Sequence, residues 1–243
     1  MPSETAKMPW QEHVSDPYYV RNHGVYRHIS DQLDDAVDRA LAAGAVPPLE
    51  FVGAGMTGIV FCDANSTGYK VARHRSALFL EDEAEWLDIA NQIPGVREHV
   101  ARFIQYNPMN YVLVRECVRM KRTDWWKRPT KLLELHNRIG NIMEQYGWSA
   151  PEFKEDSYVS TVRGPVLVDA SMPHRLGRNA ARFALDVLEG RRHLANPHDR
   201  LRDLAFYVRR EVTAGALPRD IANRIIRRIA EQDPSALEWL VAP

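Results

Sequence analysis

The chain contains a glycine-rich segment, Phe51-Val-Gly53-Ala-Gly55-Met-Thr-Gly58-Ile-Val60, with the spacing G-x-G-x-x-G. Glycines at this spacing let backbone N–H groups approach phosphates closely, and three different phosphate-binding designs use them. The residues that follow the glycines distinguish these designs. A phosphate loop that precedes a helix needs Lys and then Ser or Thr directly after its last glycine. Ile59 and Val60 stand there instead, so the first design is excluded.

The flanking residues favour a hairpin over a dinucleotide-binding loop. A dinucleotide loop opens a helix after its glycines and has an acidic residue about 20 positions further on. Here β-branched residues follow Gly58, a dense turn signal occupies 63–68, and the residues around 73 are basic. The third design is a strand, a glycine loop and a second strand, with Val two residues after the last glycine. Val60 meets that requirement, so the segment predicts a hairpin that covers the phosphates of a nucleotide.

The elements expected on either side of the hairpin are strands first and helices later, which is typical of an α+β fold. The expected strands lie at 49–52, 59–62, 69–72, 100–106 and 111–118, and a short apolar one at 166–168 ends in Asp169. The expected helices lie at 26–43, 81–92, 129–146, 178–190, 199–213 and 218–232. The sequence therefore predicts three parts: an N-terminal extension with a helix over 1–48, a five-stranded antiparallel sheet over 49–118, and a helical part over 119–243.

Composition sets limits on function but points to no particular one. The 243 residues are 45% hydrophobic and 26% charged, with a formal net charge of zero, so bulk charge gives no support to a nucleic-acid or membrane partner. No segment approaches the roughly 18 consecutive apolar residues of a membrane span, and the N-terminus lacks the apolar core of a signal peptide. We therefore expect a cytoplasmic protein. The arginine pairs at 191–192, 209–210 and 227–228 are expected on solvated helix faces.

The two cysteines, Cys62 and Cys117, are too few for a disulfide scaffold or a cysteine-ligated zinc site. Cys62 lies within an apolar run and Cys117 lies beside one. We expect both side chains to be reduced and packed.

The order of these features resembles the protein-kinase-like superfamily. Lys70, within Tyr69-Lys70-Val-Ala72, resembles the strand lysine that contacts the α- and β-phosphates. Glu83 resembles the carboxylate partner of that lysine on the following helix, and Glu85 is the alternative. An isolated lysine at a strand end is commonly a surface residue, so its replacement is expected to change unliganded stability by no more than about 0.5 kcal/mol.

The run Val-Leu-Val-Arg115-Glu116-Cys117-Val118 resembles the strand and linker that bind the adenine edge in that superfamily. By analogy, the groups that would pair with the base are the carbonyl of Glu116 and the amide and carbonyl of Val118. Asp169 resembles the metal-binding Asp of the D-F-G motif, with Ala170 and Ser171 in place of Phe and Gly. Small-molecule kinases of the superfamily often depart from the motif at those two positions.

The catalytic loop is where the sequence departs most from the superfamily. Counting back from Asp169 puts Asp156 or Ser157 at the position of the second metal ligand, and Pro151 or Glu152 at the position of the catalytic base. There is no H-R-D triplet before Asp169 and no A-P-E segment after it. The resemblance covers residues 49 to 171.

The resemblance implies a two-lobed kinase-like fold with a reduced helical C-terminal lobe, similar to small atypical bacterial or phage-type kinases. It implies an ATP and magnesium site formed by Gly53, Gly55, Gly58, Val60 and the residues named above. The expected activity is phosphoryl transfer to an acceptor, a protein or a small molecule, that the sequence does not identify. Two alternatives stay open. One is a pseudokinase that binds nucleotide without catalysis, and the other is a structural binding protein whose glycine segment is only a tight turn.

Overall fold

The computed structural model of the protein contains a five-stranded sheet, a separate two-stranded hairpin and six described helices. It describes residues 30–55, 57–73, 77–118, 129–154, 157–170, 172–192 and 200–237. The strands are β1 (Glu50–Ala54), β2 (Gly58–Cys62), β3 (Thr67–Ala72), β4 (Phe103–Asn107), β5 (Val112–Glu116), β6 (Tyr158–Thr161) and β7 (Gly164–Leu167). The helices are α1 (Ser30–Ala42), α2 (Ala77–Gln92), α3 (Pro129–Glu144), α4 (Arg178–Leu188), α5 (Arg200–Thr213) and α6 (Arg219–Gln232).

The large sheet has the strand order β1-β2-β3-β5-β4, and every neighbouring pair is antiparallel. The five-stranded antiparallel sheet predicted for residues 49–118 is therefore confirmed, and the fold is α+β. Strand β2 begins at Gly58 itself. Because a strand and not a helix follows the last glycine, a dinucleotide-binding loop is ruled out.

Alternation along the strands gives the sheet two different faces. On one face, α1 packs through Leu33, Ala36, Val37 and Ala40, which recur at helical spacing. Its partners are buried apolar side chains from four strands: Phe51, Ile59, Phe61, Tyr69, Val71, Val112 and Val114. This face is a closed hydrophobic core, so any ligand site of the sheet belongs to the other face.

The opposite face of the sheet carries Val60, Lys70, Leu113 and Arg115, since the register pairs Val60 with Lys70 and Lys70 with Leu113. Helix α2 packs here and buries Ala84, Trp86 and Leu87, as its pattern predicts. The β6–β7 hairpin joins the same core, because Leu167 pairs with Val100 and its carbonyl accepts from Ala101 N at 2.9 Å. The strand expected at 166–168 thus corresponds to β7, the second strand of this hairpin. The first strand, β6, contains no run of apolar residues.

Helices α4, α5 and α6 pack against one another around a third core. All three lie where the sequence predicted helices, with ends within two residues of the expected ones. Helix α3 matches as well, with Leu132, Leu135 and Ile139 buried and Leu133 41% exposed. None of the described helices has the length and apolarity needed to cross a lipid bilayer.

Two expectations about side chains were wrong. Cys62 and Cys117 are joined by a disulfide, with Cα atoms 5.8 Å apart. The chain turn after β2 brings Ser66 beside the residues that follow β5, where Cys117 N donates to Ser66 O at 3.2 Å. This proximity spans 55 residues and has no local signature.

The second wrong expectation concerns the arginine pairs. Arg210 and Arg192, expected in solvent, form ion pairs with acidic residues of α2. The side chain of Arg210 is only 8% exposed.

Candidate functional site

Three charged side chains meet at the cleft face of the sheet. Lys70 Nζ, on β3, lies 2.6 Å from Glu83 Oε2 on α2 and 2.7 Å from Asp169 Oδ1 after β7. Lys70 and Glu83 are almost fully buried, whereas the Asp169 side chain is 41% exposed. Glu83, the expected partner of Lys70, forms the ion pair with it, and Asp169, expected in the same site, also bonds Lys70. Glu85 points elsewhere, to Arg175 and Arg192.

Burial and charge act in opposite directions on this group. Burial alone would lower the pKa of Lys70, but the adjacent carboxylates of Glu83 and Asp169 raise it above its ordinary value. Burial raises the pKa of Glu83, and the positive charge of Lys70 opposes that shift. Lys70 therefore stays protonated, and its ammonium group is held in place by a carboxylate on each side.

The glycine hairpin lies over this group. Gly53 pairs with Val60, and Gly55 N donates to Gly58 O at 2.9 Å. A side-chain carbon on Gly58 would come within 2.9 Å of Lys70 Cγ and of Val71 O, so only glycine fits there. Next to Gly53 and Gly55, by contrast, there is open space within 4 Å. The hairpin thus leaves room for a ligand at its first two glycines and packs tightly on Lys70 at its third.

A cavity of about 430 Å³ lies between the hairpin and Asp169. This volume falls within the range of small-molecule sites. Its lining residues come from β1, β2, β3, β5 and the segment around β6 and β7: Val52, Gly53, Ala54, Gly55, Thr57, Gly58, Val60, Lys70, Arg115, Lys154, Ser157, Val168 and Asp169. The structure therefore gathers the predicted glycines, Val60, Lys70 and Asp169 around one cavity.

Several backbone groups at the end of β5, where the adenine edge was expected to bind, form hydrogen bonds within the protein. The carbonyl of Glu116 accepts a hydrogen bond from Arg115 Nη1 at 3.2 Å. The amide of Cys117 donates to Ser66 O, and that of Glu116 donates to Arg102 O at 2.8 Å. Two amides of the linker are thus engaged, while Val118 is the last residue described before position 129.

The predicted catalytic segment is only partly brought to the cavity. Glu152 is exposed and pairs with Lys154 at 2.9 Å, and Lys154 rather than Glu152 lines the cavity. Asp156, the predicted metal ligand, lies outside the described residues. Ser157, its alternative, lines the cavity, and its buried Oγ has no hydrogen-bond partner among the described residues.

Sequence reasoning gave no ligand-binding role to the side chains of two basic residues in the cavity, Arg115 and Lys154. Arg115 belongs to the segment that resembles the adenine-binding strand and linker of the kinase-like superfamily. Because that segment binds through its main chain, no role was expected for the Arg115 side chain. The available signal was the alternation of β5, which places residues 113 and 115 on one face. Lys154 carried no comparable signal in the sequence.

Comparison of the chain with models of known protein families gives no match, and comparison with curated proteins gives none either.

Proposed function

We propose that the protein binds a magnesium nucleoside triphosphate, ATP in the simplest case, and transfers its terminal phosphoryl group to an acceptor. The observation that carries this proposal is the position of Lys70, held between Glu83 and Asp169 directly under a glycine hairpin with open space at Gly53 and Gly55. In this proposal the sheet and the helices that follow it are the two lobes of a kinase-like fold.

The charges of the cavity suit a polyanionic ligand. Among the described residues, three cations line it, namely Lys70, Arg115 and Lys154, against the carboxylate of Asp169. Glu83 lies behind Lys70, where it fixes the ammonium group rather than meeting the ligand. Phosphoryl transfer depends mainly on positioning and charge neutralisation, so a fixed lysine beside the phosphates supplies much of what the reaction needs.

The oxygen atoms in the cavity also fit a magnesium ion. Magnesium in nucleotide sites is held by one or two carboxylates together with phosphate oxygens and water. Asp169 offers a half-exposed carboxylate, and the buried Ser157 Oγ is an oxygen still in need of a partner. The described residues contain no cluster of three or more His, Cys, Asp or Glu for a metal, and a nucleotide-bound magnesium does not require one. Asp169 with Ser157 or Asp156 would hold the ion, which neutralises charge on the phosphates.

Each residue then has a separate task in the proposed reaction. Lys70 holds phosphate oxygens and Glu83 keeps Lys70 in position. The backbone of Gly53 and Gly55 covers the phosphates. In this proposal Glu152, exposed beside Lys154, accepts the proton of an acceptor hydroxyl that arrives from solvent. General-base assistance of that kind is typically worth about 10²–10⁴-fold in rate.

A second function is supported by one observation. Glu152 is not among the residues that line the cavity, and no other carboxylate takes its place among the described ones except Asp169. The same cleft would then bind nucleotide without turnover, as a regulatory module.

Both proposals include a cytoplasmic location. The Cys62–Cys117 disulfide is an observation against that location, because disulfides are rare in reducing compartments.

Nucleotide-linked stabilisation tests the binding part of the proposal. We expect ATP or another purine nucleoside triphosphate to raise the thermal midpoint with magnesium present, and less so with a chelator. A ligand at 100 times its Kd adds about 2.7 kcal/mol. Gly53→Ala should keep the unliganded midpoint, since nothing lies within 4 Å of the new carbon, yet lose most of the nucleotide effect. An equal effect in both proteins would contradict a phosphate site under the hairpin.

Turnover distinguishes the two functions. In an ATP hydrolysis or autophosphorylation assay, Glu152→Gln should bind nucleotide normally and lose about 10²-fold or more in rate. Glu134→Gln, at an exposed carboxylate on α3, is the matched control and should be unaffected. Binding without any wild-type turnover would leave the regulatory function.

A further inference from the structure

Arg115 lines the cavity close to the end of β5. It stands opposite Gly68, two residues along β5 from Leu113, the partner of Lys70. Two strand residues span about 7 Å, and side chains two apart share a face of the sheet. Arg115 is therefore on the same face as Lys70 but displaced toward the linker that begins at Glu116. If the phosphates lie at Lys70, the base lies at Arg115.

The guanidinium of Arg115 is buried without a full set of partners. The residue is 6% exposed and lines the cavity, its Nη1 donates to the carbonyl of Glu116, and its Nε has no hydrogen-bond partner among the described residues. No described carboxylate forms an ion pair with it. Glu83 and Asp169, whose charges act on it, are bonded to Lys70, and Glu83 Oε1 is buried without a hydrogen-bond partner among the described residues. Burial lowers the pKa of Arg115, and the charges of Glu83, Asp169 and Glu116 oppose that shift. An arginine side chain only donates, so what it lacks is an acceptor.

The two common purines differ at this edge. Guanine presents two acceptors, O6 and N7, a pattern that arginine recognises with paired hydrogen bonds. Adenine presents N7 and an amino group, whose N–H would face the N–H groups of Arg115. The carbonyl of Glu116 accepts one hydrogen bond from Arg115 Nη1, so the guanidinium lies beside the acceptor that adenine would use. Arg115 therefore adds donors at a position where an adenine site offers only an acceptor.

We propose that Arg115 makes this cleft select a guanine nucleotide over an adenine nucleotide. This inference rests on the proposed nucleotide-binding function and adds the base to it. One good arginine contact with O6 and N7 corresponds to a preference of about tenfold or more.

The test is a comparison of Kd values for GTP, ITP and ATP, each with magnesium, on the full-length protein. ITP has the O6 and N7 acceptors of guanine but lacks its amino group. We expect GTP and ITP to bind within a few-fold of each other and both to bind about tenfold or more tightly than ATP. This comparison uses only the wild-type protein, so it tests the preference for guanine even if substitution of a buried arginine prevents folding.

Two variants locate the preference in one side chain. Arg115→Met should bring the ratio of the GTP and ATP Kd values close to one or reverse it. Arg163→Met is the matched control, because Arg163 also contacts Glu116, at 2.8 Å, but does so outside the cavity and half-exposed. It should leave the ratio unchanged.

Each outcome bears on a different claim. Equal binding of GTP and ATP, or tighter ATP, would overturn the role of Arg115 and leave nucleotide binding intact. A preference for GTP that survives in Arg115→Met would also overturn it. If none of the three nucleotides binds, the proposed function fails together with this inference.

Discussion

The burial of Lys70, at the centre of the site, determines how much this residue matters for the stability of the folded protein. Lys70 resembles a surface lysine in sequence, but its side chain is 4% exposed and that of Glu83 only 1%. A buried ion pair with both partners present is near neutral for stability, whereas loss of one partner leaves an uncompensated charge in a medium of low dielectric. Replacement of the buried Lys70 is therefore expected to cost more stability than the roughly 0.5 kcal/mol expected for a surface lysine.

We predict that Lys70→Met lowers the free energy of unfolding by about 3–5 kcal/mol, because Glu83 is left buried without its cation. Urea unfolding of the unliganded protein measures this directly. Combining Lys70→Met with Glu83→Leu should recover most of the loss, since an apolar pair replaces the ionic one. Lys131→Met, at an exposed lysine of α3, is the control and should stay within about 0.5 kcal/mol of wild type. A Lys70→Met protein as stable as this control would show that Lys70 and Glu83 do not form a buried ion pair.

At the scale of elements, the disulfide fastens the β2–β3 hairpin to the linker after β5. Cys62 ends β2, and Cys117 directly follows the last residue of β5. Strand β3 already pairs with β5 between them, so the bond closes one side of the cleft covalently. The position of this bond matters for function because Cys117 directly follows Glu116 and is two residues from Arg115. Reduction would free the linker without removing any side chain from the cavity.

We expect reduction of this disulfide to lower the free energy of unfolding by about 2–4 kcal/mol, the typical contribution of a disulfide. Urea unfolding with and without reductant measures the difference. A Cys62→Ser, Cys117→Ser double variant is the control, and reductant should not change its stability. Alkylation of denatured, unreduced protein gives an independent check, and two reactive thiols per chain there would mean that the bond does not form.

At the scale of the whole molecule, acidic residues of α2 tie the sheet to the C-terminal helices. Asp82 is fully buried and pairs with both Arg175 and Arg210. Glu85 bonds Arg175 at 2.7 Å and Arg192 at 2.8 Å. Because Glu83 follows Asp82 on the same helix, these pairs fix the helix that orients Lys70. We expect coupling of this kind to make the sheet and the C-terminal helices unfold together rather than separately.

We predict that Asp82→Asn destabilises the protein by about 1–3 kcal/mol, because two buried guanidinium groups lose their shared carboxylate while Glu85 and Glu211 remain as partners. The loss should change little between low and high salt, since buried pairs are poorly screened. Asp88→Asn, at an exposed position on the same helix, should cost less than about 0.5 kcal/mol. Equal stability of the two variants in urea would show that the cluster contributes nothing to the fold.

The sequence by itself determined the features that depend on local periodicity and turn chemistry. The glycine spacing and the β-branched residues after Gly58 specified a hairpin, and alternation and helical periods specified the sheet and most helix positions. Order along the chain was also enough to select Lys70, Glu83 and Asp169, which the structure brings together.

Only the tertiary structure decided which distant side chains meet. Arg175 and Arg210 are 93 and 128 residues from Asp82, and Cys62 is 55 from Cys117. An arginine on a helix has the same local pattern whether its face meets water or a buried carboxylate, so periodicity cannot distinguish the two. The same holds for Arg115, whose place in the cavity depends on which face of the sheet α1 covers. Contacts of this kind are set by how the elements pack, and packing is a property of the whole chain.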